Sequence, residues 1–202
     1  MIIFCTLGRI PELSLLELER TLPGASVTLC SNTVAVLDAP DGTNLSSLMR
    51  QLGGTIKIGT IVSEEPSQED PERLAEKLAS LITKRMTNSG KITFGLSSYT
   101  VTRQGQQSYG SKSLKNIGKA LKHRLVEEGK SVRFVPLKDN ERTLSSASVE
   151  HNKLLAENGV EFVLLSDEKR TLIGVTAEVQ AFEEYSRRDW DRPQRDMDVG
   201  LL

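Results

Sequence analysis

Residues 26–37, SVTLCSNTVAVL, decide the fold of the first third of this chain. Two β-rich runs, Ser26–Cys30 and Thr33–Leu37, flank Ser31-Asn32, a dipeptide suited to a tight hairpin turn. Toward the N-terminus, Ile2–Leu7 (IIFCTL) reads as a buried strand followed by a Gly8–Pro11 turn. Pro11 then opens an amphipathic helix carrying Leu13, Leu15, Leu16, Leu18 and Leu22, closed by Pro23-Gly24. On the other side, Thr43 or Asn44 caps a short helix through Leu45, Leu48, Met49 and Leu52, which Gly53-Gly54 stops. Thr55–Val62 (TIKIGTIV) alternates as a strand. The order strand, helix, strand, strand, helix, strand is the split βαβ arrangement of the ferredoxin-like fold.

Ser63–Glu72 (SEEPSQEDPE) is acidic and contains proline, so it reads as a linker or the lead-in to a helix and marks the expected domain boundary. Asp70-Pro71 starts a helix with Leu74, Leu78, Leu81 and Ile82 on one face. Lys91–Thr100 reads as a strand, Val101–Gly110 as a polar loop, and Ser131–Leu137 as another strand. A helix is expected from about Ser146 to Asn158, followed by strands Val160–Leu165 and Thr171–Val175 in an antiparallel pair turning at Asp167–Lys169. The whole is an α+β chain, an α/β sandwich of sheet plus helices.

From Lys77 to Val126 there is no Asp or Glu, and ten residues are Lys or Arg. The window thus carries +10, while the remaining 16 basic and 27 acidic residues leave −11, within a chain of formal net charge −1. Such separation makes a dipolar molecule whose basic side attracts polyanions, of which phosphate backbones are the commonest. Its sharpest part is Ser111–Val126, SKSLKNIGKALKHRLV. Leu114, Ile117, Leu121 and Leu125 share one helical face, and Lys112, Lys115, Lys119 and Lys122 form a parallel stripe roughly a hundred degrees around the axis. Ser111 or Ser113 is placed to cap this helix and Gly129 to end it. A solvated lysine face is the commoner meaning of such a stripe, but solvated faces ordinarily mix signs, and here no carboxylate falls within a turn until Glu127. Phosphate contact is the favoured reading.

Other classes find little support. No run of eighteen apolar residues exists, so nothing reads as a membrane-spanning helix. The start, MIIFCTLGRIPE, lacks the pattern of a signal peptide. Cys5 and Cys30 read as two thiols within apolar alternation rather than a disulfide, which fits a reducing, cytoplasmic setting. His123 and His151 give no metal-ligand spacing. No G-x-G-x-x-G or phosphate-loop pattern occurs, and no nucleophile has a recognisable base. The chain reads as a binding module; a regulatory or assembly module is the alternative from another class, although nothing polar converges in residues 1–62 to mark a ligand pocket.

The acid-free helix, the strand RFVPLKDN and the run LSSASVEHNKLLAENGVEFVLL resemble, in that order, the THUMP domain, an RNA-binding module of tRNA-modifying enzymes. Thr176–Leu202, with Tyr185, Arg188-Asp189, Arg192-Pro193, Arg195-Asp196 and Gly200, is similar to the segment joining THUMP to the catalytic domain in the tRNA guanine-N2 methyltransferase family. A ferredoxin-like domain ahead of THUMP is also that family's organisation. The resemblance implies an N-terminal ferredoxin-like domain over residues 1–65, a THUMP domain over 66–183 and a linker over 184–202. It further implies that an S-adenosylmethionine-binding methyltransferase domain would follow Leu202. This sequence lacks that domain and its Asn/Asp-Pro-Pro-aromatic tetrapeptide, so no cofactor is expected in this chain and no methyl transfer by it alone. The expected setting is a portion of a longer tRNA methyltransferase; the alternative is a stand-alone RNA-binding adaptor serving a separate catalytic chain.

By the same resemblance, the partner is tRNA, gripped at its acceptor end, and the expected contacts are Arg103, Lys112, Lys115, Lys119, Lys122, Arg124, Arg133 and Lys138, chiefly with phosphates. Tyr99 or Tyr109 is placed to stack on an unpaired terminal base, with a core or loop tyrosine as the equal alternative. Arg187, Arg188, Asp189, Arg192 and Arg195 belong to the linker and would face either RNA or the carboxylates of a catalytic domain.

Overall fold

A computed structural model describes residues 1–66, 70–86, 90–101, 109–167 and 169–180. Its elements, in order, are β1 (Ile2–Leu7), α1 (Pro11–Thr21), β2 (Ser26–Cys30), β3 (Val34–Asp38), α2 (Leu45–Met49), β4 (Thr55–Pro66), α3 (Pro71–Arg85), β5 (Ile92–Thr100), α4 (Ser111–Glu127), β6 (Val132–Val135), α5 (Ser146–His151), β7 (Gly159–Ser166) and β8 (Arg170–Val179). The described strands form a single eight-stranded sheet in the order β2-β3-β1-β4-β8-β7-β5-β6. The α+β class follows directly.

The first half has the expected split βαβ topology. β3 lies between β1 and β2, β1 lies between β3 and β4, and all three pairings are antiparallel. Asn44 caps α2 by accepting from the Ser47 amide at 2.8 Å, and Pro11 begins α1. Alternation along β1 divides its side chains cleanly: Ile3, Cys5 and Leu7 pack with Leu18 of α1 and Leu48, Met49 and Leu52 at α2, while Phe4 turns to the other face. The glycine pair after α2 is pinned from α1, where Ser14 Oγ donates to the Gly54 carbonyl and Glu17 accepts from the Gly54 amide, both at 2.7 Å.

The acidic stretch read as linker or helix lead-in divides: Asp70 and Pro71 open α3 as expected, but its first residues form strand. Ser63–Pro66 continues β4, paired antiparallel with β8 as far as Pro66↔Arg170. Glu65 meets Lys77 at 2.8 Å and Glu64 meets Arg170 at 2.9 Å, so cations drawn from elsewhere in the fold hold these acids along a strand. β4 therefore joins the two halves through β8. Beyond it, β7 and β6 flank β5 in parallel. One core packs α3 and α4 against Phe94, Leu96, Phe162 and Leu164, with α5 and Leu144 joining it; another combines Phe4, Val34 and Val36 with Val163, Leu165 and Leu172. The second draws on both halves of the sheet.

Two local expectations are corrected. The helix expected over 146–158 stops at His151, because Lys153 takes a left-handed φ of 56° and reverses the chain. The apolar spacing of Val149 and Leu154 survives the break, since Leu154 folds back with its amide on the Val149 carbonyl at 3.0 Å and remains buried. At α4 the N-cap is Gly110 rather than a serine, with no side-chain cap. Gly129 ends the helix as expected, at φ 78°.

Candidate nucleic-acid interface

Five residues of α4, Leu114, Ile117, Gly118, Leu121 and Leu125, are buried against the sheet and α3. Gly118 allows this close seat, because a Cβ would stand 2.2 Å from Cζ of the Phe134 ring of β6. That ring stacks on Phe94 of β5, centroids 5.1 Å apart. With this face fixed, 3.6-residue periodicity carries Lys112, Lys115, Lys119 and Lys122 to a single flank. Lys112, Lys119 and Lys122 are exposed, and none has a carboxylate within 4 Å among the described residues. Exposed Val126 follows one turn beyond Lys122. From Lys112 to Lys122 the stripe is about 15 Å long, at about 1.5 Å per residue.

The fold alters the electrostatics the sequence suggests. Lys115 is only 31% exposed and meets Asp139 at 2.6 Å, a carboxylate delivered by the turn after β6. The Lys115 ammonium holds the Asp139 carboxyl below its usual range. Arg124 projects from α4 on the side away from the lysines and meets Glu76 of α3 at 2.9 Å. The structure therefore binds Arg124 to the α3–α4 contact and does not bring it to the stripe. Lys138, exposed and next to Asp139 in sequence, lies near the stripe's N-terminal half. Arg133 is exposed on β6, where alternation points it away from Phe134 and α4, and its guanidinium donates to Asn152 after α5 at 2.8 Å. Arg103, Arg188, Asp189, Arg192 and Arg195 lie outside the described residues.

Neither tyrosine lies on the lysine flank as a free ring. Tyr109 is half-buried against the core of α3, α4 and the sheet. Tyr99 packs against the Phe4–Val163 cluster, where burial and then the Glu161 charge push its phenol well above the usual range. Tyr99 also lines a cleft of about 460 Å³ at the seam of the two halves, with Thr6, Leu7, Lys57, Thr143 and Ser146.

Sequence reading missed the polar cluster beside that cleft. Lys57 of β4 and Glu161 of β7 meet at 2.5 Å, with 1% and 0% of their side chains exposed. Ser97 and Thr176 each donate a hydroxyl to Glu161 at 2.6 Å. Both cysteines are free thiols. Among the described residues no cluster of His, Cys, Asp and Glu could hold a metal ion, and no helix is long and apolar enough to cross a membrane.

Comparison with known proteins rests on shape. No family model matches the chain, and no curated protein matches it. Among solved structures, it is similar to TrmN from Thermus thermophilus with a TM-score of 0.52 and 14% identity, over 93% of this chain and 50% of that one. It is also similar to PH1313 from Pyrococcus horikoshii Ot3, at a TM-score of 0.53 and 10% identity, over 89% of this chain and 54% of that one. The likeness is one of fold, and the chain spans about half the length of each.

Proposed function

We propose that this chain is the RNA-binding portion of an S-adenosylmethionine-dependent tRNA (guanine-N2) methyltransferase, holding the acceptor end of tRNA through the lysine flank of α4. The observation that carries the reading is that flank: Lys112, Lys119 and Lys122 on one side of a helix, exposed and without carboxylate partners among the described residues, with Lys115 and Lys138 beside them. Lysine ammoniums on a rigid helix suit phosphate oxygens as point charges and carry little base information, so the contacts would position RNA rather than read it. The fold shared with TrmN and the sequence resemblance to the guanine-N2 family both support the assignment.

The methyl donor would be held by a catalytic domain outside this chain. Titration of a tRNA transcript between low and moderate salt tests the reading. Four or five engaged lysines give a log–log slope of roughly −3 to −5, at about −0.9 per neutralised duplex phosphate. A flat response, or no binding at low salt, overturns it.

A further inference from the structure

Folding brings carboxylates to the acid-free window, and one of them lands on the lysine stripe. Asp139 lies 24 positions from Lys115 in the chain and meets its ammonium at 2.6 Å. The turn that carries Asp139 is fixed at both ends. Leu137 and Leu144 are buried, the Arg142 carbonyl accepts from the Ser98 amide at 2.8 Å, and the Leu144 amide donates to Ser97 Oγ at 2.9 Å. Within the turn, Asn140 takes a left-handed φ of 65° and the Glu141 amide closes on the Lys138 carbonyl. The scaffold thus stations Asp139 beside α4, whereas its carboxylate is itself 92% exposed. It satisfies Lys115 without being sealed in.

We propose that Asp139 is an internal competitor for phosphate, occupying at Lys115 the position that an RNA phosphate takes on binding. The inference rests on the RNA reading above and adds a regulated element to it: Lys112, Lys119 and Lys122 engage first, and Lys115 joins only when phosphate displaces the carboxylate. An exposed ion pair of this kind is worth little in high dielectric, so the exchange is easily reversed and strongly salt-dependent. The arrangement weakens capture of any stray polyanion while leaving a fourth contact for a backbone that fits the whole stripe.

The test uses the full chain and a labelled tRNA transcript, comparing the parent with Asp139→Asn, Glu141→Gln, Lys115→Gln and the Asp139→Asn/Lys115→Gln pair. Asp139→Asn is expected to tighten binding about two- to fivefold, the scale of an exposed ion pair. Glu141→Gln removes an equal charge from the same turn and is expected to change affinity by less than about 1.5-fold, since a charge not in contact is screened. In the Lys115→Gln background the gain from Asp139→Asn is expected to vanish. The proposal is overturned if the gain persists without Lys115, if Glu141→Gln matches it, or if Asp139→Asn weakens binding. If tRNA binds neither the parent nor any variant, the RNA reading fails and this inference with it; binding by the parent with no selective gain at Asp139 refutes the inference alone.

Discussion

Lys57 of β4 donates to Glu161 of β7 at 2.5 Å across the intervening strand β8, and the two side chains are almost wholly sealed from solvent. Glu161 also accepts from Ser97 of β5 and Thr176 of β8, so one carboxylate gathers side chains from three other strands. Lys57 belongs to the half that resembles a ferredoxin-like unit, and the other three belong to the half with the lysine flank. The pair therefore fixes how the first half joins the second.

Removing one partner leaves a buried charge without compensation. Lys57→Met or Glu161→Leu is expected to cost about 3–5 kcal/mol, whereas the double replacement costs clearly less than the sum, because no charge is then stranded. Denaturant unfolding of the three variants measures this. Additive losses would mean that the two side chains do not act as a pair.

How much of this was legible follows from where each residue's partner lies. The first half could be read because its signals are local: Pro11 opens α1, Asn44 caps α2, and a hairpin joins β2 to β3. Its turn is centred on Asn32-Thr33, one residue beyond the expected Ser31-Asn32, with the Ser31 amide on the Val34 carbonyl. The lysine stripe was legible for the same reason, as one helix carries all four residues. Lys57 was not, because its partner is 104 residues away and a lysine among strand isoleucines reads as solvent-facing. Asp139 and Glu76 escaped notice likewise, and they change what the basic window means by occupying Lys115 and Arg124. The helix expected through Asn158 failed because apolar spacing cannot reveal a left-handed residue at Lys153.

The lysine flank separates charge from fold. Replacing Lys112, Lys119 and Lys122 together with Glu is expected to abolish tRNA binding while moving the melting temperature by only a few degrees, since all three are exposed. Leu121→Ala, at a fully buried position on the same helix, is expected to cost about 2–5 kcal/mol and to weaken binding only as far as it unfolds the chain. Thermal melts and a binding titration on both variants distinguish the outcomes. Full affinity in the triple variant would place RNA on another surface.

Burial pushes the Cys5 thiol up to about 12. Unfolded, the same thiol ionises near its ordinary value of 9.0, so between these values the unfolded chain sheds a proton that the folded chain keeps. Stability contributed by Cys5 is therefore complete below about pH 9 and declines as pH rises above it. Cys5→Ala is expected to flatten this alkaline loss. A chromogenic disulfide reagent is also expected to modify the half-exposed Cys30 promptly in the native protein, and Cys5 only as it unfolds. Rapid reaction of two thiols in native buffer would contradict the buried placement.

Gly118 sets the seat of α4, and replacing it opposes two effects of known sign. Alanine within a helix is favoured over glycine by about 1 kcal/mol. Against this, the new Cβ would stand 2.2 Å from Cζ of Phe134, forcing the ring off its stack with Phe94. The stack is worth about 0.5–1.5 kcal/mol beyond burial, and overpacking typically adds about 1–3 kcal/mol. The steric cost wins, so Gly118→Ala is expected to destabilise the chain by about 1–3 kcal/mol despite its helix preference. Phe134→Leu supplies the control: in that background the space opens, and Gly118→Ala is expected to turn neutral or stabilising. Denaturant unfolding of the four proteins gives the coupling directly. A Gly118→Ala variant as stable as the parent would mean that Phe134 yields without loss, and that α4 is not seated by this contact.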